Sequence, residues 1–95
     1  MPAYVVVDIE VTDPDGYEEY KRLAAPTVEA HGGRYLVRGG PVDILEGDWQ
    51  PHRFVVLEFE TVDRAHAWWA SPEYEAAKRI RHQTASTDMI VVQGA

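Results

Sequence analysis

The chain has 95 residues, no cysteine and a formal net charge of −7, from 16 acidic and 9 basic residues. Its length suits a single domain, and the lack of cysteine excludes disulfides, thiolate metal sites and thiol catalysis. The acidic balance repels phosphate backbones and anionic lipids, so we expect neither a nucleic acid nor a membrane as a partner. No apolar run approaches the roughly 20 residues of a membrane span, and the start of the chain lacks a secretory-signal pattern, so a cytoplasmic protein is expected.

The first predicted elements are a strand and a helix. Residues 4–11 are rich in β-branched side chains, which is typical of a strand. Asp13 before Pro14 is a favourable helix start, because the aspartate oxygen accepts free backbone amides and proline has no amide hydrogen. We expect this helix to run from about Pro14 to His31, where two consecutive glycines end it.

Two further strands are predicted in the middle of the chain. Residues 34–38 predict a second strand, and residues 42–45 predict a short continuation beyond the Gly39-Gly40-Pro41 break. Residues 53–60 carry many β-branched and aromatic side chains, which predicts a third strand. The polar loop before it contains Trp49. Because an exposed tryptophan is unusual in such a loop, we interpret Trp49 as a lid or a dimer contact.

The last part of the chain predicts two helical segments and a strand. A helix begins near residues 61–63, the pair Ser71-Pro72 interrupts it, and a further helix continues to about His82. Residues 87–93 predict the final strand. The resulting βαββαβ order indicates a ferredoxin-like α+β domain with a four-stranded antiparallel sheet. Right-handed crossovers then place both helices on one face of the sheet.

Both faces of this sheet are predicted to be largely apolar. The helix-facing rows are Val5, Val7, Ile9, Val11, Val55, Leu57 and Phe59. The opposite rows hold Tyr4, Val6, Asp8, Glu10, Phe54, Val56, Glu58 and Glu60. If Tyr35 and Val37 face the helices, Leu36 and Arg38 join the opposite face. Since soluble monomers rarely expose such a patch, we predict a homodimer packed sheet to sheet; the alternative is a half-buried sheet with scattered exposed valines.

Several stretches of the sequence together resemble a known family. They are Asp13-Pro14 with Tyr20 and Pro26, His31-Gly32-Gly33-Arg34, Val37-Arg38-Gly39-Gly40, Leu45-Glu46-Gly47, Glu58-Phe59, and residues 67–74 with Ala77-Lys78 and Arg81. On these motifs the sequence resembles the domain-of-unknown-function family 1330, within the dimeric α+β barrel superfamily. The resemblance implies a ferredoxin-like protomer and a barrel dimer. It implies no reaction, because relatives elsewhere in the superfamily resemble cofactor-independent monooxygenases, muconolactone isomerases, haem-handling enzymes and ligand binders.

Three charged residues are expected on one face of the sheet, namely Asp8, Arg38 and Glu58. An arginine between two carboxylates could clamp the acid group of a substrate, or let one carboxylate act as a base. The same three residues could instead form an ion-pair network that fixes the dimer, because buried charges must be paired in either case. Arg38 is the first candidate for a ligand-binding residue.

His31 and Glu58 are the two candidates for catalytic proton transfer. His31 lies at the end of the first helix, and histidine can act there as a general acid or base because it titrates near neutral pH. The alternative is that His31 caps the last carbonyls of the helix and interacts with the helix dipole.

Aromatic side chains form a second candidate site. Tyr17, Tyr20, Trp68, Trp69 and Tyr74 recur on the predicted helices, and such a stripe is typical of core packing. The functional alternative is a pocket for a flat ligand with aromatic walls, in which the hydroxyls of Tyr20 and Tyr74 orient the ligand.

The last helix also carries a basic run, in which Arg81 follows Lys78 and Arg79. Its simplest role is to complement the helix dipole, but Arg81 could instead reach an anionic ligand. The four histidines of the chain lack the spacing of a helical metal pair. The sequence therefore predicts no metal and no cofactor.

Two hypotheses for the function remain. In the first, a homodimer binds or transforms a small acidic or aromatic molecule in a cleft between the helices and the sheet. In the second, the same dimer is a non-catalytic structural or ligand-sensing module. The sequence favours the first, because charged, histidine and tyrosine side chains are expected near one end of the sheet. The predicted ligand-binding residues are Asp8, Tyr20, Arg38, Trp68, Tyr74 and Arg81.

Overall fold

The computed structural model describes residues 1–95, which form four strands and three helices. The strands are β1 (Ala3–Val11), β2 (Arg34–Arg38), β3 (Arg53–Phe59) and β4 (Ala85–Gln93), and the helices are α1 (Pro14–Ala30), α2 (Val62–Trp69) and α3 (Pro72–Thr84). The strands pair antiparallel in the spatial order β2-β3-β1-β4. The predicted ferredoxin-like βαββαβ arrangement is confirmed, with the second helical unit divided into α2 and α3.

Each helix begins at a side chain that caps free backbone amides. Asp13 caps α1 and Thr61 caps α2 by accepting a hydrogen bond from the amide three residues further along. Ser71 Oγ accepts from the amide of Tyr74 at 3.2 Å, and Pro72 occupies the first position of α3. The predicted interruption at Ser71 and Pro72 is therefore confirmed. None of the three helices is long and apolar enough to cross a membrane.

The helix-facing side of the sheet is buried, as the alternation predicts. Val5, Val7 and Ile9 of β1 are each only 3% exposed. They belong to the core that the helices cover, in which Trp68 and Tyr74 are among the largest fully buried side chains. Burying a large apolar side chain stabilises a fold by roughly 2 kcal/mol, so this layer is the main source of stability.

Strand β2 contains an irregularity that changes which side chains face the helices. Tyr35 pairs with Leu57 and Arg38 pairs with Val55, but the register shifts between Tyr35 and Val37. Because the bulge adds one residue, Arg38 lies on the helix-facing side and Val37 lies on the opposite side. The predicted orientations of Val37 and Arg38 are therefore wrong.

The predicted continuation of β2 over residues 42–45 is also wrong, because residues 39–52 contain neither helix nor strand. Gly39 has φ +75°, a left-handed conformation that turns the chain out of the sheet. Pro41 has no amide hydrogen to donate to a strand ladder. The chain therefore leaves the sheet after β2 and returns at β3.

The sheet face opposite the helices carries an apolar patch. Val6 lies between Val56 of β3 and Ile90 of β4 in the strand register. Ile90 is 61% exposed, and Val92 beside it is 47% exposed. In an isolated protomer this patch is in contact with water, which is unfavourable for a contiguous apolar surface.

Candidate functional site

A chain of hydrogen-bonded side chains links α1 to α3. The hydroxyl oxygens of Tyr20 and Tyr74 are 2.8 Å apart, and Arg81 Nε donates to the Tyr74 hydroxyl at 3.3 Å. Tyr74 and Arg81 share one side of α3, because they lie about two helical turns apart. Burial raises the pKa of Tyr20 far above its ordinary value, so this phenol stays neutral. The chain of hydrogen bonds holds the guanidinium of Arg81 in place.

Trp68 of α2 packs beside this chain. Its ring centroid lies 4.3 Å from that of Tyr74 and 5.4 Å from that of Phe59. The indole Nε1 donates to Thr27 Oγ1 at 3.1 Å, which satisfies the one polar atom of a side chain that is 1% exposed. Trp68 and Tyr74 are therefore core residues. Two spaces lie between the helices and the sheet, and Trp68 lines both of them.

The first space, which we call the α1 cleft, lies between α1 and the sheet. Tyr17, Tyr20 and Tyr35 are among its lining residues, and its volume is about 20 Å³. A volume of this size holds about one water molecule. Burial raises the pKa of both Tyr17 and Tyr35, in keeping with rings that are largely withdrawn from solvent. Side chains therefore fill the α1 cleft, and no organic ligand fits there without rearrangement.

Arg38 and Arg53 lie at the mouth of the α1 cleft. The guanidinium carbon of Arg38 lies 4.2 Å from the ring centroid of Tyr35, and that of Arg53 lies 5.8 Å from the centroid of Tyr17. Both arginines also line an open groove of about 980 Å³ along α1. Because four acidic and four basic side chains line this groove, it has no net charge preference for an anion.

The second space, which we call the Arg81 cavity, lies between α2, α3 and the strands β1 and β4. Its volume is about 410 Å³, within the range of sites that hold small organic molecules. Trp68, Met89 and Val91 contribute to its apolar walls, and none of its lining residues is an aspartate or a glutamate. Its polar lining residues are His66, Arg81, His82 and Thr87.

Arg81 is the buried cation of this cavity. It is 4% exposed and takes part in none of the ion pairs of the structure. Its only side-chain hydrogen bond runs from Nε to Tyr74. Only Arg53 Nε and Thr87 Oγ1 are side-chain atoms that are both fully buried and without a hydrogen-bond partner. The terminal nitrogens of Arg81 have no partner either, so they are not fully buried and remain accessible. A buried cation without a counter-ion is unfavourable unless an anion joins it.

The group of three charged residues predicted on one sheet face is not assembled, and that prediction is wrong. The bulge in β2 places Arg38 on the helix-facing side, where it pairs in register with Val55. Glu58, on the opposite face, accepts a hydrogen bond from Arg34 Nε at 2.7 Å. Asp8 contacts neither of them.

Asp8 instead anchors the segment that precedes β3. Its Oδ1 accepts from the backbone amide of His52 at 2.8 Å, and its Oδ2 accepts from Trp49 Nε1 at 3.0 Å. The hydrogen bond from the His52 amide is the main cause that holds the pKa of Asp8 below its ordinary value. Trp49 is thereby tied to the sheet face opposite the helices and is 62% exposed. The hydrogen bonds of Asp8 therefore serve to hold the segment before β3 in place.

His31 lies at the end of α1 and lines neither the α1 cleft nor the Arg81 cavity. Its Nδ1 is 3.0 Å from the carbonyl oxygen of Thr27, within the last turn of the helix. This geometry favours the interpretation of His31 as a helix cap. A catalytic role for His31 or Glu58 stays a prediction, and neither residue borders the Arg81 cavity.

Sequence reasoning missed His66, His82 and Thr87 as neighbours of Arg81. In the sequence, His66 and His82 are judged only as metal ligands, and the structure contains no group of three or more His, Asp or Glu side chains that could hold a metal ion. The available signal was position: His66 is two residues before Trp68, and His82 directly follows Arg81. Their convergence depends on how α2 packs against α3 and β4.

The fold and the Arg81 cavity together define a ferredoxin-like α+β protein with a ligand-sized space between its helices and its sheet. The sequence matches the model of the domain of unknown function DUF1330 over residues 2–95. The chain therefore belongs to the DUF1330 family, and the resemblance seen in the sequence is confirmed. No curated protein matches the sequence.

Several solved structures share the fold over nearly the whole chain. The RPA0582 protein of unknown function from Rhodopseudomonas palustris has a TM-score of 0.79 and 19% identity, covering 99% of this chain and 82% of that one. SnoaB, a cofactor-independent oxygenase from Streptomyces nogalater, has a TM-score of 0.69 and 11% identity, covering 99% and 93%. A dimeric ferredoxin-like protein of unknown function from Jannaschia sp. CCS1 has a TM-score of 0.68 and 12% identity, covering 99% and 100%. Identities this low show a common fold and do not by themselves show a common activity.

Proposed function

We propose that the protein is a homodimer in which each protomer binds a small organic acid in the Arg81 cavity. The observation that carries this proposal is Arg81 itself. It is a buried guanidinium without a carboxylate partner, and it borders the larger of the two spaces that the helices and the sheet enclose. A carboxylate is the natural occupant, because it accepts two parallel hydrogen bonds from a guanidinium.

The surroundings of Arg81 support this assignment. The chain has 16 acidic and 9 basic residues, yet no carboxylate lines this cavity. Trp68 and Met89 provide apolar walls for the body of the ligand. Tyr74 accepts a hydrogen bond from Arg81 Nε, and Tyr20 in turn bonds Tyr74, so these phenols act as positioning residues. Arg38 and Asp8 lie outside this cavity and have no part in the proposal.

The homodimer is proposed from the apolar patch on the sheet face opposite the helices. Val6, Val56 and Ile90 lie side by side there, and the edge-strand residues Ile90 and Val92 are well exposed in the protomer. Packing two such faces together buries this surface, and a two-fold dimer is the commonest arrangement. The related protein from Jannaschia sp. CCS1 is described as dimeric. Trp49, tied to the same face through Asp8, borders the proposed interface.

The ligand proposal is tested by isothermal titration calorimetry at pH 7 with benzoate and with benzamide, its neutral counterpart. We expect benzoate to bind and benzamide to bind at least about tenfold more weakly, because only the acid forms charge-assisted hydrogen bonds with Arg81. Arg81→Met is expected to abolish this preference. Arg79→Met is the matched control, because Arg79 lies on the same helix with a side chain that is 74% exposed.

Two outcomes would contradict the ligand proposal. One is that the wild-type protein binds neither probe; the other is that benzoate and benzamide bind equally well. If Arg81→Met fails to fold, Arg81→Lys retains the charge without the planar fork and is expected to weaken benzoate binding. Absence of binding together with a large loss of stability in both variants would favour the non-catalytic structural module.

The dimer proposal is tested by sedimentation equilibrium at micromolar concentration. We expect the wild-type protein to sediment as a dimer and Ile90→Asp to sediment as a monomer, because a charge at the patch must be desolvated on association. Glu75→Gln, on the solvent side of α3, is the control and is expected to stay dimeric. A monomeric wild-type protein would contradict the dimer proposal and leave the ligand proposal standing.

A further inference from the structure

Two of the four histidines of the chain line the Arg81 cavity, and both lack partners. His66 comes from α2 and His82 from α3. Neither makes a side-chain hydrogen bond or an ion pair in the structure. By contrast, His31 contacts the carbonyl oxygen of Thr27, and His52 lies 3.4 Å from carboxylate oxygens of both Asp8 and Glu10. The unpartnered histidines are therefore concentrated at one site.

The charged and titratable groups that line this cavity are all cationic or able to become so. They are Arg81 and His82 from α3 and His66 from α2, while β1 and β4 contribute none. Arg81 is buried, whereas both histidines are exposed. The cavity thus has one permanent positive charge in its interior and two groups towards solvent that gain a positive charge on protonation.

A ligand with a single carboxylate pairs with Arg81 but does not use the two histidines on the solvent side of the cavity. We infer that the cavity takes an organic acid with two acid groups, of which Arg81 binds one and protonated His66 and His82 bind the other. This inference rests on the proposed function, since it assumes that an acid occupies the Arg81 cavity. It adds the substrate class, a dicarboxylate, and a dependence of binding on pH.

The direction of the pH dependence follows from the charges. A carboxylate beside an imidazole stabilises the protonated form of the imidazole. Binding of the ligand's second carboxylate is therefore accompanied by proton uptake by the protein. The preference for a diacid over a monoacid is therefore present at pH 6 and fades as the pH rises to 8. Binding of a monoacid through Arg81 changes less over this range, because the charge of arginine is permanent and a monoacid has no second group to pair with the histidines.

The test is calorimetric titration with isophthalate and benzoate at pH 6 and pH 8. These probes share one ring and differ by one carboxylate, and both are ionised at either pH. We expect isophthalate to bind about fivefold more tightly than benzoate at pH 6, because exposed ion pairs are weak, and about equally at pH 8. Adipate and hexanoate, a flexible diacid and its monoacid counterpart, are measured alongside. They show whether a failure of isophthalate is due only to the fixed distance between its two carboxylates.

Histidine variants identify the groups responsible. The double variant His66→Gln/His82→Gln is expected to bind both diacids no better than the matching monoacids at pH 6, with a smaller loss of affinity for benzoate than for isophthalate. His31→Gln is the control, because His31 lies outside the cavity. A loss of ligand binding caused by general damage would reduce benzoate binding to the same extent.

The outcomes separate the inference from the proposed function. If benzoate binds through Arg81 but neither diacid shows an advantage at pH 6, the inference is overturned and the proposed function stands. The inference is also overturned if the diacid advantage is as large at pH 8 as at pH 6, or survives in the double histidine variant. If no acid binds at either pH, both the inference and the ligand proposal fail.

Discussion

Two spaces lie between the helices and the sheet of this protein, and they differ in how far side chains fill them. In the α1 cleft, three tyrosine rings fill the space and leave about 20 Å³. In the Arg81 cavity, smaller side chains such as Ala65 and Thr87 leave about 410 Å³. Trp68 and Met89 line both spaces.

The difference shows that a helix layer over one sheet can combine a packed region with an open one. Packing in the α1 cleft stabilises the fold through apolar contact. The Arg81 cavity contains a buried cation without a counter-ion and a buried hydroxyl without a hydrogen-bond partner, and both features destabilise the unliganded protein. Such a cost is typical of a site that is completed by a ligand.

The largest expected effect comes from removing a side chain that lines both spaces. Trp68→Ala is expected to lower the free energy of unfolding by about 4 kcal/mol, because it removes a buried ring and leaves a cavity. Urea denaturation followed by far-UV circular dichroism measures this loss. Trp69→Ala is the control, with an expected loss of about 1 kcal/mol or less, since Trp69 is 46% exposed. Equal losses in the two variants would contradict the role of Trp68.

A smaller effect is expected from the hydrogen-bond chain that positions Arg81. Tyr74→Phe is expected to lower the free energy of unfolding by about 2 kcal/mol, because Tyr20 and Arg81 Nε both lose their partner. Tyr20→Phe leaves the Arg81–Tyr74 hydrogen bond intact, so we expect about half of that loss. Urea denaturation of both variants provides the comparison. A greater loss for Tyr20→Phe than for Tyr74→Phe would contradict this assignment.

A change of opposite sign is expected inside the Arg81 cavity. Thr87→Val is expected to raise the free energy of unfolding by about 1 kcal/mol, because it replaces a buried hydroxyl that has no partner. Thr27→Val is the matched control and is expected to lower it by about 2 kcal/mol, since Thr27 Oγ1 donates to Ala24 and accepts from Trp68. Destabilisation by Thr87→Val would show that this hydroxyl is satisfied in solution.

The smallest effect is expected outside both spaces, at Asp8. Because the folded state lowers the pKa of Asp8, its ionised form contributes stability above the unfolded pKa of about 3.9, and this stability is lost as pH falls through the folded value. Asp8→Asn is therefore expected to reduce the fall in unfolding free energy between pH 5 and pH 2, by less than about 1 kcal/mol. Urea denaturation across this range tests it, and identical pH profiles for both proteins would contradict it.

The fold could be predicted from the sequence because each element carries its own local signal. Alternation in residues 4–11 identifies the buried face of β1, and Ser71-Pro72 marks the start of α3. Arg38 could not be placed in this way. Residues 34–38 mix apolar and basic side chains, so the pattern does not reveal a bulge that turns Arg38 to the other face.

The candidate site was predicted only in part. The aromatic stripe predicts Trp68 and Tyr74, and the basic run predicts Arg81. All three belong to the Arg81 cavity or to its hydrogen-bond chain. His66 and Thr87 reach the same cavity from other elements, so their proximity depends on tertiary packing. No local sequence pattern predicts which of the two spaces is filled by side chains and which stays open.

The central claim is that the Arg81 cavity is an acid-binding site, and a crystal structure of the protein grown with benzoate tests it most directly. The account predicts benzoate in the Arg81 cavity, with its carboxylate within hydrogen-bond distance of the terminal nitrogens of Arg81 and its ring beside Trp68. A cavity closed by its own side chains, or benzoate bound only in the groove beside Arg38 and Arg53, would contradict it.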